Sequence, residues 1–180
     1  MVRILAVLAA IAFAVPAFAQ SLPAGLDKAN AIVIDTTKGR VVVKLRPDLA
    51  PKHAERIKQL ARDGYYNNVP FHRVIEGFMA QTGDGSKFNG TGGSKYPNLQ
   101  AEFTNTPFKR GTVGMARASD PNSANSQFFI TFGDASFLNG KYTVVGEVVS
   151  GMDVVDKIKR GEPVQNPDKM VKVQVASDIK

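Results

Sequence analysis

Beyond residue 30, the apolar residues of this chain fall mostly into runs of strand length, and that pattern limits the fold more than any other feature. β-Prone stretches cover 71–75, 78–82, 112–116, 127–132 and 143–149, with Gly- and Asn-rich segments between several of them. In 31–45, "AIVIDTTKGRVVVKL", two apolar runs flank Thr-Lys-Gly, a hairpin signal in which Gly39 is free to take positive φ. "MVKVQVASDI" alternates cleanly as a closing strand. Helical periodicity is confined to two places. In "LAPKHAERIKQLARDG", Ala50, Ala54, Ile57, Leu60 and Ala61 share one face, Pro51 suits a first turn and Gly64 a stop. "GMDVVDKIKRG" reads as the second helix. Many short strands with two helices predict an antiparallel barrel or sandwich rather than a bundle. The 16 Gly and 10 Pro are spread along the chain, as turns between strands require. Segment 83–110 is long and irregular for a compact domain, and its aromatics predict an ordered, functional loop.

Residues 1–19 have a different character. Arg3 precedes the apolar run "ILAVLAAIAFAV", and Ala17-Phe18-Ala19 matches an A-x-A cleavage site. The run is too short to serve comfortably as a permanent bilayer span. These features predict a cleaved signal peptide over 1–19, a lead over 20–30, a domain over 31–178 and a periplasmic protein that keeps no membrane insertion. There is no cysteine, so neither a disulfide framework nor a thiolate metal site is available. The formal charge is +7 without a block of consecutive Lys or Arg, which predicts a generally basic solvated surface and no nucleic-acid site.

The side-chain inventory excludes most bond-breaking chemistries. The chain has only two histidines. His53 lies in the polar register of the first helix and is expected at the surface. His72, between Phe71 and Arg73, reads as a structural histidine. No G-x-S-x-G, no H-E-x-x-H and no His pair at ligand spacing occurs. "GTGG" at 90–93 lacks the G-K-[ST] of a phosphate loop. No metal or cofactor is expected.

"FHRVIEGFMAQTGD", "NGTGG", "NSQFFITF" and "FLNGKYTVVGEVVSGMDVV", in this order and spacing, resemble the cyclophilin family of peptidyl-prolyl cis–trans isomerases over about 31–178. The resemblance implies a mostly β fold, a closed eight-stranded antiparallel β-barrel capped by two α-helices. It implies isomerisation of X–Pro bonds during folding of exported proteins, with a monomer acting on unfolded or extended proline-containing polypeptides. By the same resemblance Arg73 is the catalytic arginine and Gln81 orients it. Phe78, Met79, Phe129 and Leu138 form the proline pocket; Gly90, Ala116, Arg117, Ala118 and Gln127 form the rim; His72 neighbours the pocket. A lone arginine among these apolar residues also suggests a buried charge kept for a reason. Three positions depart from the family pattern. Phe137 stands where tryptophan is common, Tyr142 where histidine is common, and Arg117 where asparagine is common. These changes bear on substrate preference and predict weak binding of cyclosporin. Two other readings stand beside the isomerase: a groove that binds extended segments without turning them, and a binder of anionic polymers through bulk charge.

Overall fold

The computed structural model describes residues 21–180, so the predicted signal peptide lies outside the described residues. Its strands are β1 (Ala31–Thr36), β2 (Gly39–Leu45), β3 (Val69–Pro70), β4 (Arg73–Ile75), β5 (Met79–Thr82), β6 (Thr112–Met115), β7 (Phe128–Thr131), β8 (Val144–Ser150) and β9 (Lys169–Val175). Two helices accompany them, α1 (Pro51–Arg62) and α2 (Met152–Val155). All pairings are antiparallel, in the order β3-β9-β1-β2-β8-β6-β7-β5-β4.

The expected closed eight-stranded barrel is corrected to a curled half-barrel of nine strands. Its end strands, β3 and β4, are consecutive in the chain yet do not pair with each other. Stretch 71–75, read as one strand, is interrupted at Phe71–His72, and Pro70 has no N–H with which to extend a ladder. Segment 161–168 fills the gap instead. Phe71 N donates to Asp168 O (2.9 Å), Val164 N to His72 O (3.1 Å), and Val74 and Gly161 exchange two hydrogen bonds of 2.8 Å each.

α1 forms as its periodicity requires. Pro51 occupies its first turn, and Ala54, Ile57, Leu60 and Ala61 pack into the core. Gly64 (φ +68°) stops it: Gly64 N donates to Ala61 O (3.1 Å) and Tyr65 N to Leu60 O (3.0 Å), the paired bonds of a Schellman turn. The second helix is much shorter than its sequence suggests. After Val155 the chain tightens into i→i+3 bonds, Lys157 N to Val154 O and Ile158 N to Val155 O, which bury Val154, Val155 and Ile158 together.

His53 is a second correction. It is 0% exposed, and its Nδ1 lies 2.6 Å from Glu102 Oε2. Ala50 at the start of α1 supplies no side-chain cap, so Glu102, from the 83–110 segment, accepts the orphan N–H groups of Lys52 (3.2 Å) and His53 (3.1 Å). Burial pushes the Glu102 carboxyl up, but the His53 imidazole and these N–H groups outweigh it and hold it below its ordinary range.

The side-chain period of two divides the sheet's apolar residues between two clusters. Ala80, Phe128 and Ile130 join the main core with Ile34, Val43, Leu45 and the face of α1. Met79 and Phe129 join a separate cluster with Phe108, Ala135, Leu138 and Val144. That second cluster carries the candidate site.

Candidate active site

Cross-strand register builds one row across the sheet. Arg73 faces Gln81, Gln81 faces Phe129, and Phe129 faces Gly114. Residues directly opposite in an antiparallel pair share a face, with Cβ atoms about 4.5–5.5 Å apart. Gly114 has a steric reason: a Cβ there would lie 2.5 Å from Phe129 Cζ and 2.6 Å from Phe108 Cε1. Without it, the Phe129 ring settles 5.8 Å from Phe108, stacked, and 5.9 Å from Tyr142, edge to face. Burying such a ring contributes about 1.5–3 kcal/mol to holding this wall together.

Phe78, Ala116 and Tyr142 pack around buried Met79, Phe129 and Leu138. Phe137 sits on the lip, 60% exposed, its ring 5.3 Å from that of Phe78. Beside the row opens a cleft of about 330 Å³, lined by Gln81, Gly90, Ala116, Arg117, Ala118 and Gln127 among others. Fourteen positions singled out in the sequence therefore reduce to an apolar wall, a polar rim and a guanidinium at the end of the row, with His72 beneath the rim.

The polar side is a chain of hydrogen bonds. Arg73 Nη1 donates to Gln81 Oε1 (3.4 Å), Gln81 Nε2 to Gln127 Oε1 (3.0 Å), and Gln127 Nε2 to the carbonyls of Gly90 (2.9 Å) and Gly92 (2.8 Å). The loop that presents those carbonyls is organised by Asp84. Its Oδ1 accepts from Ser86 N, Ser86 Oγ and Lys87 N; its Oδ2 accepts from Asn89 N, Gly90 N and Gly92 N. Burial pushes the Asp84 carboxyl up, yet the N–H groups of Lys87, Gly92, Gly90 and Ser86 hold it far below the usual carboxylate range. His72 lies beneath Gly90, where a Cβ would come within 2.8 Å of the imidazole. Burial depresses the His72 pKa, Asp84 opposes the shift and Arg73 adds to it.

Residues 31–177 match the model for cyclophilin-type peptidyl-prolyl cis–trans isomerase/CLD. This chain belongs to that family. It is 57% identical to a probable peptidyl-prolyl cis-trans isomerase of Brucella suis, covering 86% of each chain. It is 40% identical to peptidyl-prolyl cis-trans isomerase B of Escherichia coli, over 71% of this chain and 83% of that one. Among solved structures, a cyclophilin of Hirschia baltica superposes with a TM-score of 0.80 at 30% identity, covering 86% of this chain and 77% of that one. A Cryptosporidium parvum cyclophilin type isomerase, in the presence of the dipeptide Ala-Pro, gives 0.74 at 28% identity, covering 81% and 98%.

In this cyclophilin-type chain, Arg73 is 39% exposed on its side chain, which corrects the expectation of a buried charge. It stands at the edge of the apolar wall and not within it. Arg117 stacks on Tyr142 (4.5 Å to the ring centroid), and its N–H groups donate to the carbonyls of Lys141, Ala118 and Ser119. Its donors are thus turned into the rim. Asp84, Phe108 and Gly114 complete the site but carry no sequence expectation. Asp84 alone had a signal, an aspartate opening a Gly-, Ser- and Asn-rich loop. Glu162, whose Oε1 accepts from Arg73 Nε at 2.6 Å, had none.

Proposed function

We propose that this isomerase turns X–Pro bonds in extended segments of exported polypeptides, with Arg73 as hydrogen-bond donor to the twisted prolyl nitrogen. The observation that carries the reading is the cross-strand row Arg73–Gln81–Phe129, which puts a guanidinium on the sheet face of Phe129, one strand away from the apolar wall that Phe129 forms with Met79 and Leu138. The barrier of roughly 18–20 kcal/mol comes from delocalisation of the nitrogen lone pair into the carbonyl. Rotation localises that pair on nitrogen, where it becomes an acceptor. No bond is made or broken, so no nucleophile is needed.

Among the described residues, Arg73 uses one Nε and one Nη1 hydrogen, leaving three of a guanidinium's five donors for the substrate. A donor aimed at the rotated nitrogen favours the transition state over the planar ground state, as catalysis by differential binding requires. The apolar wall holds the proline ring and excludes water, which strengthens that hydrogen bond. The cleft lined by Gly90, Ala116 and Gln127 holds the chain on the other side of the bond, so one side is fixed while the other turns. The Cryptosporidium parvum relative, described with Ala-Pro, supports a proline-containing ligand.

Replacing Arg73 by Lys tests the mechanism. Lysine keeps the charge but cannot be held by Gln81 and also present a planar donor. The expected loss in kcat/KM corresponds to about 2.7–4 kcal/mol, the range for removing one preorganised donor, with peptide affinity and melting unchanged. Near-wild-type NMR exchange rates on an X–Pro peptide would refute the mechanism and favour a groove that only desolvates the amide. Export rests on Arg3, the apolar run and Ala17-Phe18-Ala19. The mature chain then begins at Gln20 in the periplasm; an intact mass that retains Met1 would overturn this.

A further inference from the structure

Arg73 has a charged partner that the mechanism above does not use. Val74 and Gly161 form an antiparallel bridge with both backbone hydrogen bonds at 2.8 Å. One residue along, Glu162 stands opposite Arg73 on one side, as Gln81 does on the other. The two contacts differ in quality. Gln81 is reached at 3.4 Å, at the limit of a hydrogen bond, whereas Glu162 Oε1 accepts from Nε at 2.6 Å. A long, rotamer-rich side chain tied only by the weaker contact would sample several orientations.

The choice of atom matters. Nε lies on the stem side of the guanidinium, so a carboxylate there orients the planar fork without occupying Nη2 or the remaining Nη1 hydrogen. The pair is exposed (39% and 58%), and exposed ion pairs add little to stability. The segment that carries Glu162 also has anchors of its own: Arg160 donates to Glu76 Oε2 (2.6 Å), stacks on Phe132 (4.2 Å), and Gly161 is bridged to Val74. Glu162 is therefore not needed to hold the fold there.

We propose that Glu162 is a positioning residue for isomerisation, fixing the angle at which Arg73 presents its terminal nitrogens to the prolyl bond. This rests on the arginine mechanism above. Glu162→Ala frees the fork to rotate. It lowers kcat roughly tenfold, less than the hundredfold that a misplacement of about 1 Å can cost, while KM stays within about twofold and melting is unchanged. Glu162→Gln keeps an acceptor for Nε and recovers most of the loss. In the Arg73→Lys background, Glu162→Ala causes no further loss, because the fork it orients is gone.

NMR exchange rates on a proline peptide, with peptide affinity and melting temperature, separate the outcomes. Unchanged turnover in Glu162→Ala overturns the proposal while the Arg73→Lys loss leaves the mechanism standing. A fall in melting temperature, a loss carried in KM, or an effect additive with Arg73→Lys also overturns it, since each marks a merely structural or binding role. Wild-type turnover that survives Arg73→Lys overturns the mechanism itself.

Discussion

Asp84→Asn exchanges one carboxylate oxygen of a fully buried side chain for an NH₂ group, almost without a change of shape. Each oxygen now serves several donors, so the amide must face some of them with hydrogens of its own. The milder orientation puts the NH₂ at the Oδ1 side, where Ser86 N (3.2 Å) and Lys87 N (2.9 Å) lose their acceptor while Ser86 Oγ can turn to accept. The other orientation strands Asn89 N, Gly90 N and Gly92 N. Ser86 and Lys87 are themselves exposed, so water can meet part of what their N–H groups lose, and each lost bond costs about 0.5–1.5 kcal/mol, hence about 1–3 kcal/mol in all. That is a sizeable fraction of the stability of a small domain, and it falls on one loop, which opens locally before the rest unfolds. The carbonyls of Gly90 and Gly92 then no longer hold Gln127, and the chain to Gln81 and Arg73 slackens. The expected outcome is faster amide exchange at Lys87, Gly90 and Gly92, a lower urea midpoint and reduced kcat/KM. Wild-type protection at those amides with kcat/KM within about twofold of wild type would refute the reasoning, since two lost hydrogen bonds to Asp84 would have cost nothing.

Two further outcomes follow from particular residues. Burial depresses the pKa of both His53 and His72, so each takes up its proton more readily in the unfolded chain. Their contribution to stability is then present above about pH 6.5 and lost as pH falls through the depressed folded values. Melting temperature should be flat from pH 8.5 to 7 and decline below about 6.5; a constant value down to pH 5 contradicts the shifts, and turnover should stay level between about 6.5 and 8.5. Phe137 is the exposed ring at the lip, and Phe137→Trp adds surface and an indole N–H donor there. Cyclosporin titration should show tighter binding to the tryptophan variant, and an equal or weaker affinity would discount Phe137 as a determinant.

Local pattern alone determined much of this protein. The hairpin of β1 and β2, the apolar face and Gly64 stop of α1, and the strands that carry Arg73, Gln81, Met79 and Phe129 all follow from period, turn chemistry and capping, which act within a few residues. The alternation in β7 even separates Phe129 from Phe128 and Ile130 before any partner is known. The family motifs added the grouping of the site residues. What only the tertiary structure decided are the partners that lie far along the chain. Glu162 reaches Arg73 across 89 positions, and Glu102 reaches His53 across 49, drawing a residue of polar register to full burial. The sheet remains a half-barrel because Pro70 lacks a donor and segment 161–168 occupies the gap between β3 and β4. Periodicity states which face of an element is apolar. It carries no information on which distant segment will supply a charge, a cap or a missing hydrogen bond, because that depends on the path of the loops in space.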